Sequence, residues 1–271
     1  YEISTRAWSS DVCSSDLIDW RSSKSFQTSR SYALAERSNM PFVKLNNISK
    51  TYKMGDVSIH ALKNVNMEIE SGSFVSIVGP SGSGKSTVLN LIGCLDQPTS
   101  GSIQIENQEV QDLNKKKRAD FRGQNLGFVF QNFNLIPVLS VYENVEYPLL
   151  MIKNEDSNNN RERILSLLDA VGVLEQKDKR PNQISGGQMQ RVAVARALVT
   201  QPKIVIADEP TANLDHDTAF KIINLMKRMK DQEQTTFVFS THDPKIIGEA
   251  EIIYTLEDGN LINREDRREY V

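Results

Sequence analysis

The segment that most limits what this chain can become is a buried strand running straight into a glycine-rich turn and then a helix. Phe74-Val75-Ser76-Ile77-Val78 is almost wholly apolar, the pattern of a strand covered on both faces. Gly79-Pro80-Ser81-Gly82-Ser83-Gly84-Lys85-Ser86-Thr87 follows at once and satisfies G-x-x-x-x-G-K-[ST]. Thr87 to Leu95 then reads as a helix. Glycines in such a turn let successive backbone N–H groups converge on one anion. The helix start adds about half a positive charge. Lys85 is suited to bridge β- and γ-phosphates, the Ser86 hydroxyl to bind Mg²⁺, and Thr87 to sit on the α-phosphate side. Taken alone, the loop specifies a nucleoside triphosphate and nothing finer.

The rest of the chain extends this pattern. Phe42 to Leu45, Val65 to Ile69, Ser102 to Ile105, Leu126 to Phe130, Lys203 to Ala207, Thr236 to Ser240 and Ile252 to Leu256 read as strands. Arg161 to Val171, Gln188 to Thr200 and Asp217 to Lys230 read as helices. Strands alternating with helices imply an α/β domain with a largely parallel core sheet. The stretch from about 131 to 187 reads as a helical insertion carried by that core. Residues 1–39 differ: they are serine-rich, hold both tryptophans and show no period. Ser9-Ser10-Asp11-Val12-Cys13-Ser14-Ser15-Asp16-Leu17 resembles translated sequencing-adaptor read-through. These residues read as a disordered or non-native leader, with Met40 opening a single domain over 40–271.

A formal net charge of −3 gives no basic excess of the kind that marks nucleic-acid binding. The apolar runs fall far short of the roughly 20 residues that span a bilayer. Any work at a membrane therefore needs another chain to supply the spans. Cys13 and Cys94 lack metal-ligand spacing, which fits a reducing compartment.

Chemistry gathers at the ends of the later strands. Ile204-Val205-Ile206-Ala207 runs into Asp208-Glu209. Ionised carboxylates at the end of a buried strand are costly without a cation, so Asp208 is read as a Mg²⁺ holder. Glu209, one residue on, points elsewhere and suits polarising the attacking water. His242 ends a strand expected beside the acidic one; position alone leaves it open between a structural histidine and a γ-phosphate ligand. Gln131 ends another strand, as a loop glutamine or as a ligand to Mg²⁺ and the water. Tyr52 suits stacking on a base, or half-burial in a strand.

One nucleotide needs one phosphate loop, yet Ser185-Gly186-Gly187-Gln188 opens a helix and makes a second anion site. If it does not reach its own chain's nucleotide, a second copy is involved. A two-fold dimer would then hold two ATP molecules, each between one copy's Lys85 loop and the other's Ser185 loop.

Six motifs in this order resemble the ATPase subunits of ABC transporters: Gly79 to Thr87, Gln131, Ile184 to Gln188, Asp208-Glu209, Ala212-Asn213-Leu214-Asp215 and His242. The likeness covers roughly Phe42 to Ile262, with Ile184 where the family usually has leucine. It implies a P-loop fold with an antiparallel β subdomain and a helical subdomain, and ATP with Mg²⁺ between head-to-tail copies. It also implies Tyr52 against adenine, Glu209 as catalytic carboxylate, His242 on the γ-phosphate and Asp215 at the dimer seam. Leu91 to Asp96, Asn134 to Leu139 and Tyr142 to Glu146 are similar to the lipoprotein-releasing and macrolide-exporting subgroup. The resemblance thus implies a membrane permease as partner, at the cytoplasmic face of a bacterial inner membrane. Soluble family members of DNA repair or translation carry a long coiled coil or two cassettes, and neither feature is present. Intact Glu209 and His242 argue against a non-catalytic ATP-gated module.

Overall fold

The computed structural model describes residues 41–153 and 157–268, so the expected leader lies outside the described residues. Two sheets and a set of helices form the architecture. β1 (Val43–Met54), β2 (Val57–Ile69), β4 (Ser100–Ile105) and β5 (Gln108–Glu109) make an antiparallel sheet in the order β2-β1-β4-β5. β3 (Phe74–Val78), β6 (Leu126–Val129), β7 (Ile204–Asp208), β8 (Thr236–Ser240), β9 (Ile252–Glu257) and β10 (Asn260–Asp266) make the second. Its order is β10-β9-β3-β8-β7-β6, parallel throughout except for the antiparallel edge strand β10.

The parallel sheet sits between two apolar layers, and its strands show why they are apolar without interruption. Phe74, Val205, Ala207, Phe237 and Phe239 face one cluster, which includes α3 (Val141–Pro148), α4 (Ser157–Ala170), α5 (Gly186–Leu198) and α6 (His216–Glu233). Val75, Ile77, Ile204, Ile206 and Val238 face the other, shared with α1 (Lys85–Ile92) and the antiparallel sheet. Alternate side chains thus serve opposite layers. On α6, Ala219, Ile222, Ile223 and Met226 recur at helix spacing and are buried.

Among the described residues there are also α2 (Lys115–Asn125) and the short α7 (Pro244–Ile247). The helical insertion is organised by one buried amide. Asn144 is fully buried; its Oδ1 accepts from the Ile136 N–H at 2.8 Å and its Nδ2 donates to the Ile136 and Leu139 carbonyls at 3.1 Å each. That clamp fixes the loop entering α3, whose start Ser140 and Glu143 cap reciprocally. Arg196 of α5 donates to the carbonyls of Phe133 (2.7 Å) and Asn134 (2.6 Å), two successive residues with positive φ. The segment following Gln131 is therefore fastened to α5.

Candidate functional site

The glycine loop leaves the end of β3 and enters α1 at Lys85. Gly79 takes φ +147°, and a Cβ there would fall 2.1 Å from the Leu256 carbonyl oxygen. At Gly84, φ is +104° and a Cβ would lie 2.6 Å from the Ala61 carbonyl oxygen. Neither position admits a side chain. Lys85 Nζ donates to the carbonyls of Gly79 (2.8 Å) and Pro80 (2.9 Å) within the loop. Ser83 is buried and its hydroxyl has no hydrogen-bond partner. A side-chain-free cradle, an ammonium folded back on it and an orphaned hydroxyl fit a polyphosphate. Ser86 is exposed and Thr87 half-buried. Pro80, Ser81 and Gly82 are exposed at the tip of the turn.

Parallel pairing brings the acidic pair and His242 to this same end. β8 lies between β3 and β7, so all three strands deliver their C-terminal ends side by side. Ser240 at the end of β8 organises the corner: its hydroxyl donates to Asp208 Oδ1 at 2.6 Å and accepts from the Glu209 N–H at 3.1 Å. Glu209 has φ +54°, a left-handed conformation that non-glycine residues adopt rarely and that clusters at functional sites. This turn separates the two carboxylates. Glu209 reaches His242 Nδ1 at 2.9 Å, with Glu209 largely enclosed and the His242 ring 75% exposed.

The bond from Glu209 raises the His242 pKa above its ordinary value; the Glu209 charge adds to this, and Lys85 opposes it. Raised affinity for a proton in the folded chain means the interaction stabilises the fold below about pH 6.5 and is lost as pH climbs through the raised value. In the nucleotide-free chain, NMR titration of His242 is expected to give a midpoint above that of free histidine. Glu209→Gln should bring it down. Equal midpoints in the two proteins would contradict the pairing.

Among the described residues no group of three or more His, Cys, Asp or Glu could hold a metal. A divalent ion held by Asp208 and Ser86 would have to take most of its ligands from phosphates and water. Gln131 is exposed just beyond the end of β6, the strand beside β7.

Ser185, Gly186, Gly187 and Gln188 belong to a different layer. Ser185 caps α5: its hydroxyl accepts from the Gln188 N–H at 3.3 Å, and Gln188 Oε1 accepts from the Ser185 N–H at 2.8 Å. A helix start leaves its first N–H groups without an intrahelical partner, here those of Gly186 and Gly187. Among the described residues, no hydrogen bond or ion pair ties this segment to the glycine loop of the same chain. A Cβ on Gly187 would lie 3.2 Å from the Asn213 carbonyl oxygen, so the segment packs on the Ala212–Asp215 loop. Asp215 caps α6, accepting from the Thr218 N–H at 3.0 Å, and that bond lowers its pKa. Tyr52 lies on β1 in the antiparallel sheet, its hydroxyl bonded to Asp96.

The comparisons with known proteins agree with this geometry. The pattern defining the ABC transporter family matches residues 62–212. An uncharacterized ABC transporter ATP-binding protein of Methanocaldococcus jannaschii is 47% identical over 230 residues, covering 83% of this chain and 97% of the relative. That relative, solved as a dimer in a post-hydrolysis state bound to ADP and phosphate, superposes with a TM-score of 0.81 over 83% of this chain and 99% of the solved one. The lipoprotein-releasing system ATP-binding protein of Pseudoalteromonas translucida is 42% identical, covering 82% of this chain and 95% of its own. A macrolide export ATP-binding/permease protein of Syntrophobacter fumaroxidans is 43% identical over 81% of this chain, which spans 31% of that longer protein.

Proposed function

The chain belongs to the ABC transporter ATP-binding family, and from that premise we propose that it binds and hydrolyses ATP between two copies of itself. The closing and opening of that pair drives a separate membrane permease. The observation carrying this reading is a divided set of anion-binding parts. Lys85, Asp208, Glu209 and His242 converge at one end of adjacent strands, while the Gly186-Gly187 helix start stands apart on α5.

In this mechanism Lys85 gives up its loop carbonyls for β- and γ-phosphate oxygens. The loop N–H groups and the start of α1 hold the triphosphate, and Tyr52 stacks on the adenine. Ser86, Asp208 and Gln131 would hold Mg²⁺, which would supply neutralisation of the phosphate charge. Ser240 keeps Asp208 and the Glu209 backbone in register. Glu209 takes the proton of the attacking water, and His242 turns from Glu209 to the γ-phosphate. The partner's Ser185, Gly186, Gly187 and Gln188 donate to the exposed side of that phosphate, with Asp215 at the seam. Each γ-phosphate gains these contacts only in the closed pair, so ATP shifts the population toward closure and hydrolysis releases it. Arg196 joins the segment after Gln131 to α5, which gives the insertion a route to pass the change on.

No described helix is long and apolar enough to cross a membrane. In this reading the chain attaches at the cytoplasmic face through the permease. The permease is of the kind that serves the lipoprotein-releasing and macrolide-exporting subgroup. A phosphate-release assay on the isolated chain tests the reading. Release should need Mg²⁺, stop with EDTA, and rise faster than linearly with protein concentration because two copies make one site. ATP binding without phosphate release would favour an ATP-gated module instead.

A further inference from the structure

Tyr52 is not simply an exposed ring on a strand. It is tied down by two residues that the reaction does not otherwise use. Its hydroxyl donates to Asp96 Oδ2 at 2.9 Å. Asp96 lies just beyond α1, and its Oδ1 accepts from Lys50 Nζ at 2.6 Å and from the Gln97 N–H at 2.7 Å. Lys50 shares a face of β1 with Tyr52, donates to the Gln97 carbonyl at 2.7 Å and lies over the tyrosine ring at 4.8 Å from its centroid.

We propose that Asp96 and Lys50 are positioning residues for the nucleotide base, holding the Tyr52 ring at a fixed orientation relative to the phosphate loop. The inference rests on the assignment of Tyr52 as the adenine platform. Three features argue for it. Each Asp96 oxygen is engaged, and the lysine that neutralises it is largely enclosed, with 12% of its side chain exposed. The carboxylate stays ionised: burial opposes this, but the bonds from Lys50, Gln97 and Tyr52 outweigh it and lower the pKa. Lys50 covers one π-face by cation–π contact, so a stacking base would take the opposite face.

The tether also links the two ends of the nucleotide. Asp96 closes the turn after α1, the helix that begins at Lys85 and holds Thr87, itself a polar neighbour of the Tyr52 hydroxyl. A base platform fixed to the phosphate-binding helix has its spacing set before the nucleotide arrives. Preorganisation of this sort removes the ordering cost of a side chain from binding.

The test measures kcat and KM for MgATP, and inhibition by inorganic tripolyphosphate, in Tyr52→Phe, Asp96→Ala, the double variant and Tyr52→Ala. Tyr52→Phe keeps the ring and loses only the tether. It and Asp96→Ala should each raise KM about fivefold, far more than they lower kcat, with tripolyphosphate inhibition unchanged. The double variant should be no worse than the poorer single one, because both break the same link. If Tyr52→Phe binds ATP like wild type while Tyr52→Ala does not, the ring stacks without needing its tether and the inference fails alone. Wild-type KM in Tyr52→Ala would remove the adenine assignment beneath it. Weakened tripolyphosphate inhibition in Asp96→Ala would mark a general structural role and also overturn the proposal.

Discussion

Glu209→Gln is expected to lower ATP turnover by about 10²- to 10⁴-fold, the usual worth of a general base, while ATP binding persists. The substitution is close to isosteric, and Gln tolerates the left-handed backbone at this position as well as Glu does. The main-chain anchor survives as well, since the Ser240 hydroxyl bonds to the backbone N–H of residue 209. What disappears is a group able to take a proton from water. Removing a negative charge beside the γ-phosphate also favours the closed pair, so MgATP should trap the variant as a dimer. Phosphate-release kinetics and light scattering check the two halves separately. Near-wild-type turnover would assign the base to another residue.

Gly186→Asp is expected to abolish closure and lower turnover on the order of 100-fold or more, since opposing a carboxylate to a phosphate costs several kcal/mol and each 1.4 kcal/mol is about tenfold. The isolated chain should take the change well. Around Gly186 the nearest atom to an added Cβ is Phe133 Cζ at 3.9 Å, and its φ is not positive. Asp in the first turn of a helix complements the helix dipole, and losing a glycine there lowers the entropy of the unfolded chain. A thermal melt at or above wild type, together with lost activity, would place the damage between chains. Gly187 is a poorer probe, because a side chain there would press on the Asn213 carbonyl.

The parts most legible from sequence were those whose burial is two-sided. β3, β7 and β8 lie between two apolar layers, so no polar face interrupts their pattern. α2 was missed for the opposite reason: Lys115, Lys116, Lys117 and Arg118 fill its first turn, it buries no side chain, and its one local signal is the Asn114 cap. β10 is a mostly exposed edge strand, and β5 is two residues long. β1 and β2 run further than expected because their paired outer ends add nothing to the core: residues 57–60 of β2 are all exposed, Val57 and Ile59 included. α1 and α5 each begin two residues earlier than their apolar patterns suggest, since Lys85 and Ser86 open one and Gly186 and Gly187 the other, none of them apolar side chains that mark a period.

At the site, residues that act through the glycine loop or a strand end could be read from local context. Ser240 could not, because its role depends on β7 and β8 pairing in parallel register. Asp96 was hidden for a similar reason, its partner Tyr52 lying 44 positions upstream. The arrangement of Gly186-Gly187 on a layer separate from the Lys85 loop is likewise a property of the packed chain, and it underlies the shared-site mechanism.

The most direct measurement mixes two inactive proteins, a Lys85→Ala chain and a Gly186→Asp chain, and follows phosphate release. If each pocket combines one copy's Lys85 loop with the other copy's Ser185 segment, a mixed pair contains one pocket with both parts intact. The second pocket carries both defects, and without Lys85 it holds no γ-phosphate for the new carboxylate to repel. Random pairing should then restore about a quarter of the wild-type rate, with half the dimers mixed and one pocket working in each. A mixture as inactive as its components would mean that each chain completes its own site, and the two-copy account would be wrong.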